Sequence, residues 1–511
     1  MKILFYTAVV SYIFGQLSAN ISNIIVDDFR HRSYSFRYYL YPGCFCTNIM
    51  EKSNLEFPPG PKSIMPGKIL RQFARDPIST LTKIADEYGD FSHFKLGRQH
   101  VYLINNPDYI EKILIYDHSN FKKGPRLQTA KRVIGEGLVT SEGEFHKKQR
   151  KLIQPLFLPK KISLYGAIMT DRALRMIQQW KDGTTINIHA ELMKVTLSII
   201  CKSVMNYEME SKQANDFAKA FAISKKYSGR LQHPMGHVLD HIPILPKVAQ
   251  ANHARKTLDT IVYGLISERR KEREKGNDTA ATDLLSRLIQ VQDEDGSVMS
   301  DQQLRDEVIT ILLAGHETTS NALTWTYYLL SQNPQVEKKV FDEVDSVLGG
   351  NGEEYSKPSV ADLPKLKYVE KVFREALRIY PPVWSMGRFV EDDYSLGGYT
   401  IPKGSSLLFS QYVMHHNSKY YSKPESFNPD RWTEEFKMHL PRFSFFPFGG
   451  GIRGCIGEPF AWQEAILLIA TISSYWSMRL APNERVKMEP GITLNPKNGI
   501  KMRLRSRKRG K

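Results

Sequence analysis

One cysteine, Cys455, sits in a setting suited to chemistry. The run Phe448-Gly449-Gly450-Gly451-Ile452-Arg453-Gly454-Cys455-Ile456-Gly457 leads into a helix-like segment from Glu458 to Trp476, with Pro459 in its first turn. Glycines let the backbone approach a flat ligand and leave amides free to donate to sulfur. A cysteine just before a helix N-terminus is favoured as the thiolate by the helix dipole. Arg453, two residues earlier, offers a cation to a ligand's carboxylate. The plainer alternative is a buried thiol beside a turn. A phosphate-binding loop is excluded, because no Gly-Lys-Ser/Thr follows the glycines.

A second group is Ala314-Gly315-His316-Glu317-Thr318-Thr319, inside an otherwise apolar run. An acid and two hydroxyls are costly to bury there unless they meet water or a ligand. Gly315 leaves room for something to sit against the helix, and Thr318 can bond back to a freed carbonyl and open a local groove. A zinc protease motif would need a second histidine where Ser320 stands. Glu375 and Arg378 lie three apart, the spacing of an ordinary surface ion pair. Phe427-Asn428-Pro429-Asp430-Arg431-Trp432 suits a packed meander whose Arg431 could join them in a buried charge network.

The elements that must position these residues are mostly helical. Ser300 and Gln303 form a capping-box pair, and the apolar run continues without proline to Gln332, ahead of Pro334. Thirty-two residues make a helix of roughly 48 Å, enough to cross the core of a large domain. Further helices are predicted over Asn252–Lys275 and from near Asp362 to the stop at Pro381-Pro382. Strands are expected within Phe91–Ile104 and Tyr394–Leu408. The fold class is therefore mainly α with small β-sheets (α+β).

Composition narrows the class. The 511 residues are 41% hydrophobic and 24% charged, which suits a globule with a sizeable core. The mean hydropathy of −0.38 argues against a polytopic membrane protein. The net charge of +17 suits anionic lipid, nucleic acid or an acidic protein partner. Six of those charges fall in residues 503–511, which read as a solvated, disordered basic tail. Cys44, Cys46, Cys201 and Cys455 are too scattered for a disulfide framework, which points to a reducing compartment. Residues 1–56 read as an N-terminal extension. Its Ile3–Leu17 stretch is a candidate membrane anchor, a cleaved signal or a poorly structured segment. Phe57-Pro58-Pro59-Gly60-Pro61 marks the start of a continuous catalytic domain over residues 57–502.

In this order and spacing, the cysteine loop, the Ala314–Thr319 group, Glu375-Ala376-Leu377-Arg378 and the Arg431 meander resemble the cytochrome P-450 family across nearly all of residues 57–502. The resemblance implies a single large domain with the long central helix lying over a haem. Cys455 would be the axial ligand of the haem iron, Phe448 would pack behind it, and Gly451 would shape the loop. Glu317 and Thr318 match the distal acid and alcohol that deliver protons to bound dioxygen. Glu375, Arg378 and Arg431 match a structural triad. Arg453, Arg150 and Arg388 match partners of the haem propionates, as does His146, which stands where the family often has tryptophan. Ala314 replaces the glutamate by which one fatty-acid-hydroxylating subfamily esterifies its haem, so the implied haem b is noncovalent.

The function implied is monooxygenation of an apolar small molecule, a fatty acid or terpenoid, with dioxygen. Electrons would come from a separate ferredoxin with its reductase or from a flavoprotein reductase. A monomer is expected, cytoplasmic or on the cytoplasmic face of a membrane touched through the N-terminus, with no nucleic-acid partner. An electron-independent isomerase or peroxygenase, or a haem sensor, would be favoured only without the Glu317-Thr318 pair.

Overall fold

Apolar residues at three- and four-residue spacing build the helices that frame the core. They are α1 (Gly143–Ile153), α2 (Gly166–Ile177), α3 (Ile188–Met205), α4 (Ser211–Arg230), α5 (Pro246–Glu274), α6 (Asp301–Gln332), α7 (Pro334–Leu348), α8 (Lys367–Ile379) and α9 (Glu458–Tyr475). This computed structural model describes residues 55–62, 67–128, 130–208, 211–230, 245–275, 283–290, 296, 298–349 and 355–507. Residues 56–511 form one compact unit. Ile3–Leu17, Cys44 and Cys46 lie outside the described residues. Among the described residues no helix is long and apolar enough to cross a membrane.

Helix α6 starts where the sequence places it. The Ser300 hydroxyl accepts the Gln303 amide at 3.2 Å, and the Gln303 side chain accepts the Ser300 amide at 2.8 Å. Its 32 residues run through the main core, which α2, α3, α5, α7, α8 and α9 also line. The helix expected from Asp362 begins instead at Lys367. Asp362 closes a capping box with Ser359, and that box organises a separate 3₁₀ turn, Val360–Lys365, containing Pro364.

The first strand region is a hairpin, β1 (Phe91–Leu96) and β2 (Gln99–Ile104), paired Phe91 to Ile104. After it come β3 (Phe121–Lys123), β4 (Thr185–Asn187), β5 (Met386–Val390), β6 (Tyr394–Leu396), β7 (Tyr399–Ile401) and β8 (Ser406–Phe409). The five-stranded sheet has the order β1-β2-β8-β5-β3 and packs beside the helical core, while β6 and β7 form a small hairpin. Strands β9 (Trp476–Leu480), β10 (Met488–Pro490), β11 (Leu494–Pro496) and β12 (Lys501–Ser506) follow the last helix. A three-stranded sheet has the order β4-β12-β9, and β10 pairs with β11.

The basic tail is a correction. Residues 503–506 belong to β12, where Met502 and Leu504 are buried between exposed Arg503 and Arg505 in strict alternation. Arg507 pairs with Asp345 at 2.8 Å and lies over the Phe341 ring. Arg503 and Arg505 thus mark the outer face of a strand, and residues 508–511 lie outside the described residues.

Candidate active site

The cysteine loop is folded back on itself. The Cys455 amide donates to Phe448 O at 2.9 Å, and Gly454 donates to Gly451 O at 3.0 Å. Gly451 has φ +67°, and a Cβ there would lie 2.0 Å from the Leu114 carbonyl, so only glycine permits this approach. Phe448 packs on the main core, its ring 6.1 Å from that of Trp462 on α9.

Cys455 is exposed by surface area, yet desolvation dominates its thiol. Both hold for a side chain facing a hollow enclosed by protein. Burial pushes the thiol up to about 11, against the opposing pull of the Gly457 and Glu458 amides and of Arg150. The amides at the helix terminus favour the thiolate as expected, and desolvation outweighs them. A bound metal ion deprotonates a coordinating thiol outright.

The buried run of helix α6 is interrupted at one place. Ala314 is exposed and Leu313, Gly315 and Thr318 are half-buried, whereas Leu304–Leu312 and Thr319–Tyr327 are buried throughout. The helix is unbroken here, so the predicted groove comes from small side chains, with no freed carbonyl. Thr318 donates to Ala314 O at 2.6 Å. The Gly315 gap is filled by α3, since a Cβ would lie 2.9 Å from Ile200 Cδ1. Glycine at this position serves the crossing of two helices.

Glu317 and Thr318 are not brought together. Neighbours on a helix point about 100° apart. Glu317 is buried and accepts a hydrogen bond from the Thr493 hydroxyl, in the turn between β10 and β11.

Four cations converge beside the cysteine loop. Arg453 pairs with Glu142 and donates to Ser141 O at 2.8 Å. Arg150, on α1, donates to Gly454 O at 2.8 Å. Arg388 on β5 is buried, and its register partner on β3 is Lys123. Burial, with Arg453 adding repulsion, pushes Lys123 down to about 7 and Arg388 down to about 10. His146, one turn before Arg150, is buried, and burial beside Arg453, Lys123 and Arg150 lowers it to about 3, which keeps it neutral. Glu142 faces this group, and its Oε1 accepts the Lys123 amide at 2.8 Å, while Glu307 of α6, which burial pushes up to about 7, lies beside Lys123. Sequence reasoning missed Lys123 and Glu142. Only the strand pairing that sets Lys123 beside Arg388 reveals them.

Glu375, Arg378 and Arg431 form one buried network, so the surface ion-pair alternative is set aside. Arg378 grips Glu375 through Nε and Nη2, each at 2.9 Å, and also donates to His415 O at 2.8 Å. Arg431 Nε, the Asn428 amide and the Trp432 indole complete the donors to the same carboxylate, at 3.0, 3.0 and 2.9 Å. The network ties α8 to the meander that leads to the cysteine loop. Glu464 on α9 was also missed. Its carboxyl is fully buried next to Thr319 of α6, and burial holds it protonated, well above the usual carboxylate range.

Comparison with known proteins gives a consistent picture. The family model described as Cytochrome P450 matches residues 58–503. Cyclooctatin synthase of Streptomyces melanosporofaciens is 34% identical over 82% of this chain and 90% of its own length. Pentalenene oxygenase of Streptomyces avermitilis is 31% identical over 86% of this chain and 95% of its own. Cyclooctat-9-en-7-ol 5-monooxygenase of Streptomyces melanosporofaciens is 32% identical over 80% and 86%. A cysteine loop facing a hollow, a cationic cluster beside it and a long helix opening at small residues thus occur in a chain that belongs to the cytochrome P450 family of monooxygenases.

Proposed function

We propose that the Cys455 loop and the opening at Ala314 and Thr318 bound one hollow that holds haem b noncovalently, with Cys455 as axial ligand. The observation that carries this reading is the charge imbalance beside the loop. Lys123, Arg150, Arg388 and Arg453 outnumber the carboxylates beside them, Glu142 and, next to Lys123, Glu307, which burial pushes up to about 7. Buried cations without matching anions are costly. A ligand bearing two carboxylates, as haem b does, corrects the imbalance. Arg453, Arg388, Lys123 and neutral His146 would hold the propionates, while Arg150 braces the loop through Gly454. Phe448 and Gly451 fix the cysteine's approach.

Bound haem would supply the reduction of dioxygen, by which RH, O₂, two electrons and two protons give ROH and water. The chain's own residues supply the rest. The hollow at Leu313 and Ala314 admits an apolar molecule, and Thr318 offers a hydroxyl at its edge. Glu317, one residue before, is the acid that handles protons. The reading of the substrate is a terpenoid, one of the two classes the sequence suggests, and the relatives' names support it. Three similar proteins spanning most of the chain carry cyclooctatin, pentalenene and cyclooctat-9-en-7-ol in their names. Electrons come from a separate acidic donor. Lys151, Lys160 and Lys161 are exposed around Leu158 and Leu164, two apolar side chains that are 53% and 60% accessible, at the end of the helix that carries Arg150.

The test is the absorption spectrum of haem-reconstituted protein, reduced with dithionite and exposed to carbon monoxide. A strongly red-shifted Soret band is expected, and Cys455→Ser should abolish it. A band at the position of histidine-ligated haem would overturn the ligand assignment. Terpene hydrocarbons should then shift the spin state, and fatty acids should not. The reverse would overturn the substrate class.

A further inference from the structure

The β10–β11 turn reaches into the middle of α6 and is fixed on both sides of its buried threonine. Trp384 Nε1 donates to Gly491 O at 2.9 Å, Trp325 Nε1 donates to Leu494 O at 3.1 Å, and the Leu494 amide donates to Pro382 O at 2.8 Å. Thr493 between them is buried, and its hydroxyl donates to Glu317 Oε1. The direction of that bond is set by its neighbours. Asn321 Nδ2 and Asn495 Nδ2 both approach Thr493 Oγ1, at 3.4 and 3.2 Å, so the oxygen accepts from amides and its own proton is left for the carboxylate. Asn321 is oriented in turn. It donates to Asn495 Oδ1 at 2.9 Å, and its Oδ1 lies 3.0 Å from His189 Nε2 on α3.

We propose that Thr493 is a positioning residue for the acid: its hydroxyl latches the Glu317 carboxylate to the hairpin, turned from Thr318, and a proton reaches the oxygen site when that bond opens. The inference rests on the reading of Glu317 as the proton-handling acid. The acid and alcohol, adjacent in sequence, make separate bonds, Thr318 to Ala314 O and Glu317 to Thr493. A buried hydroxyl bonded to a carboxylate is among the stronger hydrogen bonds of a protein interior. Opening it therefore limits how often the acid turns toward the oxygen site. The latch restrains proton delivery, and with it the idle consumption of electrons, in the resting enzyme.

Three variants of the full chain test this. Thr493→Val keeps the shape and removes the hydroxyl, Thr493→Ser restores the hydroxyl, and Glu317→Gln removes the charge. In haem-free protein, urea midpoints of Thr493→Val, Glu317→Gln and their double form a cycle. The latch predicts that the double loses no more than the larger single. In haem-loaded protein supplied with NADPH and a surrogate ferredoxin and reductase, substrate-free NADPH consumption is expected to rise about ten-fold in Thr493→Val. It should return to the wild-type rate in Thr493→Ser. Additive midpoints would overturn the contact. Coupled midpoints with unchanged consumption would also overturn the proposal, since the bond would then be structural only. If Glu317→Gln itself leaves consumption and peroxide release at wild-type values, the proton role of Glu317 fails and the latch fails with it, which separates the two failures.

Discussion

Replacing Glu375 by glutamine keeps the shape of the side chain and removes its charge. Oε1 accepts from Arg378 Nη2, the Asn428 amide and Arg431 Nε, while Oε2 accepts from Arg378 Nε and the Trp432 indole. However the new amide turns, its NH₂ faces donors, and its cheaper orientation sets it against Arg378 Nε and the indole. Arg378 and Arg431, with 0% and 7% of their side chains accessible, then lose their counter-charge. Breaking a buried pair in this way costs about 3–5 kcal/mol, a large share of the roughly 5–15 kcal/mol by which domains are stable. With a denaturant slope of about 3 kcal/mol/M, the urea midpoint should fall by about 1 M or more. A reference comes from Lys338 and Asp342, an α7 pair at 2.7 Å with 75% and 59% of the side chains accessible. Lys338→Met should cost about 0.5 kcal/mol or less. The assay is urea unfolding of both variants beside wild type. If Glu375→Gln loses no more than Lys338→Met, the network is not a strongly coupled buried one and the reasoning is refuted.

Glu142→Gln should lower the stability of haem-free protein by about 1–3 kcal/mol, because it leaves Arg453 without its carboxylate. The loss should shrink once haem is bound, and equal losses with and without haem would contradict the anion-binding role of the cluster. Lys123 has its folded value depressed to about 7 from 10.5. Between those values the unfolded chain binds the extra proton, so this residue makes haem-free stability rise with pH, by at most about 1.4 kcal/mol per unit. Urea midpoints at pH 7 to 9 should show that slope in wild type and lose it in Lys123→Met. Glu464→Gln should change stability by less than about 1 kcal/mol, since a protonated acid is being replaced by another neutral group. A loss above about 3 kcal/mol would mean that the acid is ionised in the fold.

The helical framework was legible because its signals are local. The Ser300–Gln303 box, the proline-free run to Gln332 and the Gly-rich approach to Cys455 each act over a few residues. The sheets were legible only where a hairpin declared itself, as at Gly397-Gly398. Strand β12 pairs with the distant β4 as well as with β9, and its arginines look like a disordered tail until those strands are beside it. The site divides in the same way. Cys455 and the Glu375–Arg378 pair announce themselves by spacing, whereas Lys123 and Glu142 join the cationic cluster through a register between β3 and β5. The anchoring of Glu317 depends on Thr493, which is 176 residues further along.

The order β4-β12-β9 also bears on how the chain is made. Residues 185–187 of β4 pair with residues 501–503 of β12, and β12 lies between β4 and β9. On a ribosome, the first strand of that sheet emerges long before its central partner exists. Its edge waits unpaired while the intervening helices collapse. The β4-β12-β9 sheet can therefore close only once synthesis has reached residue 506.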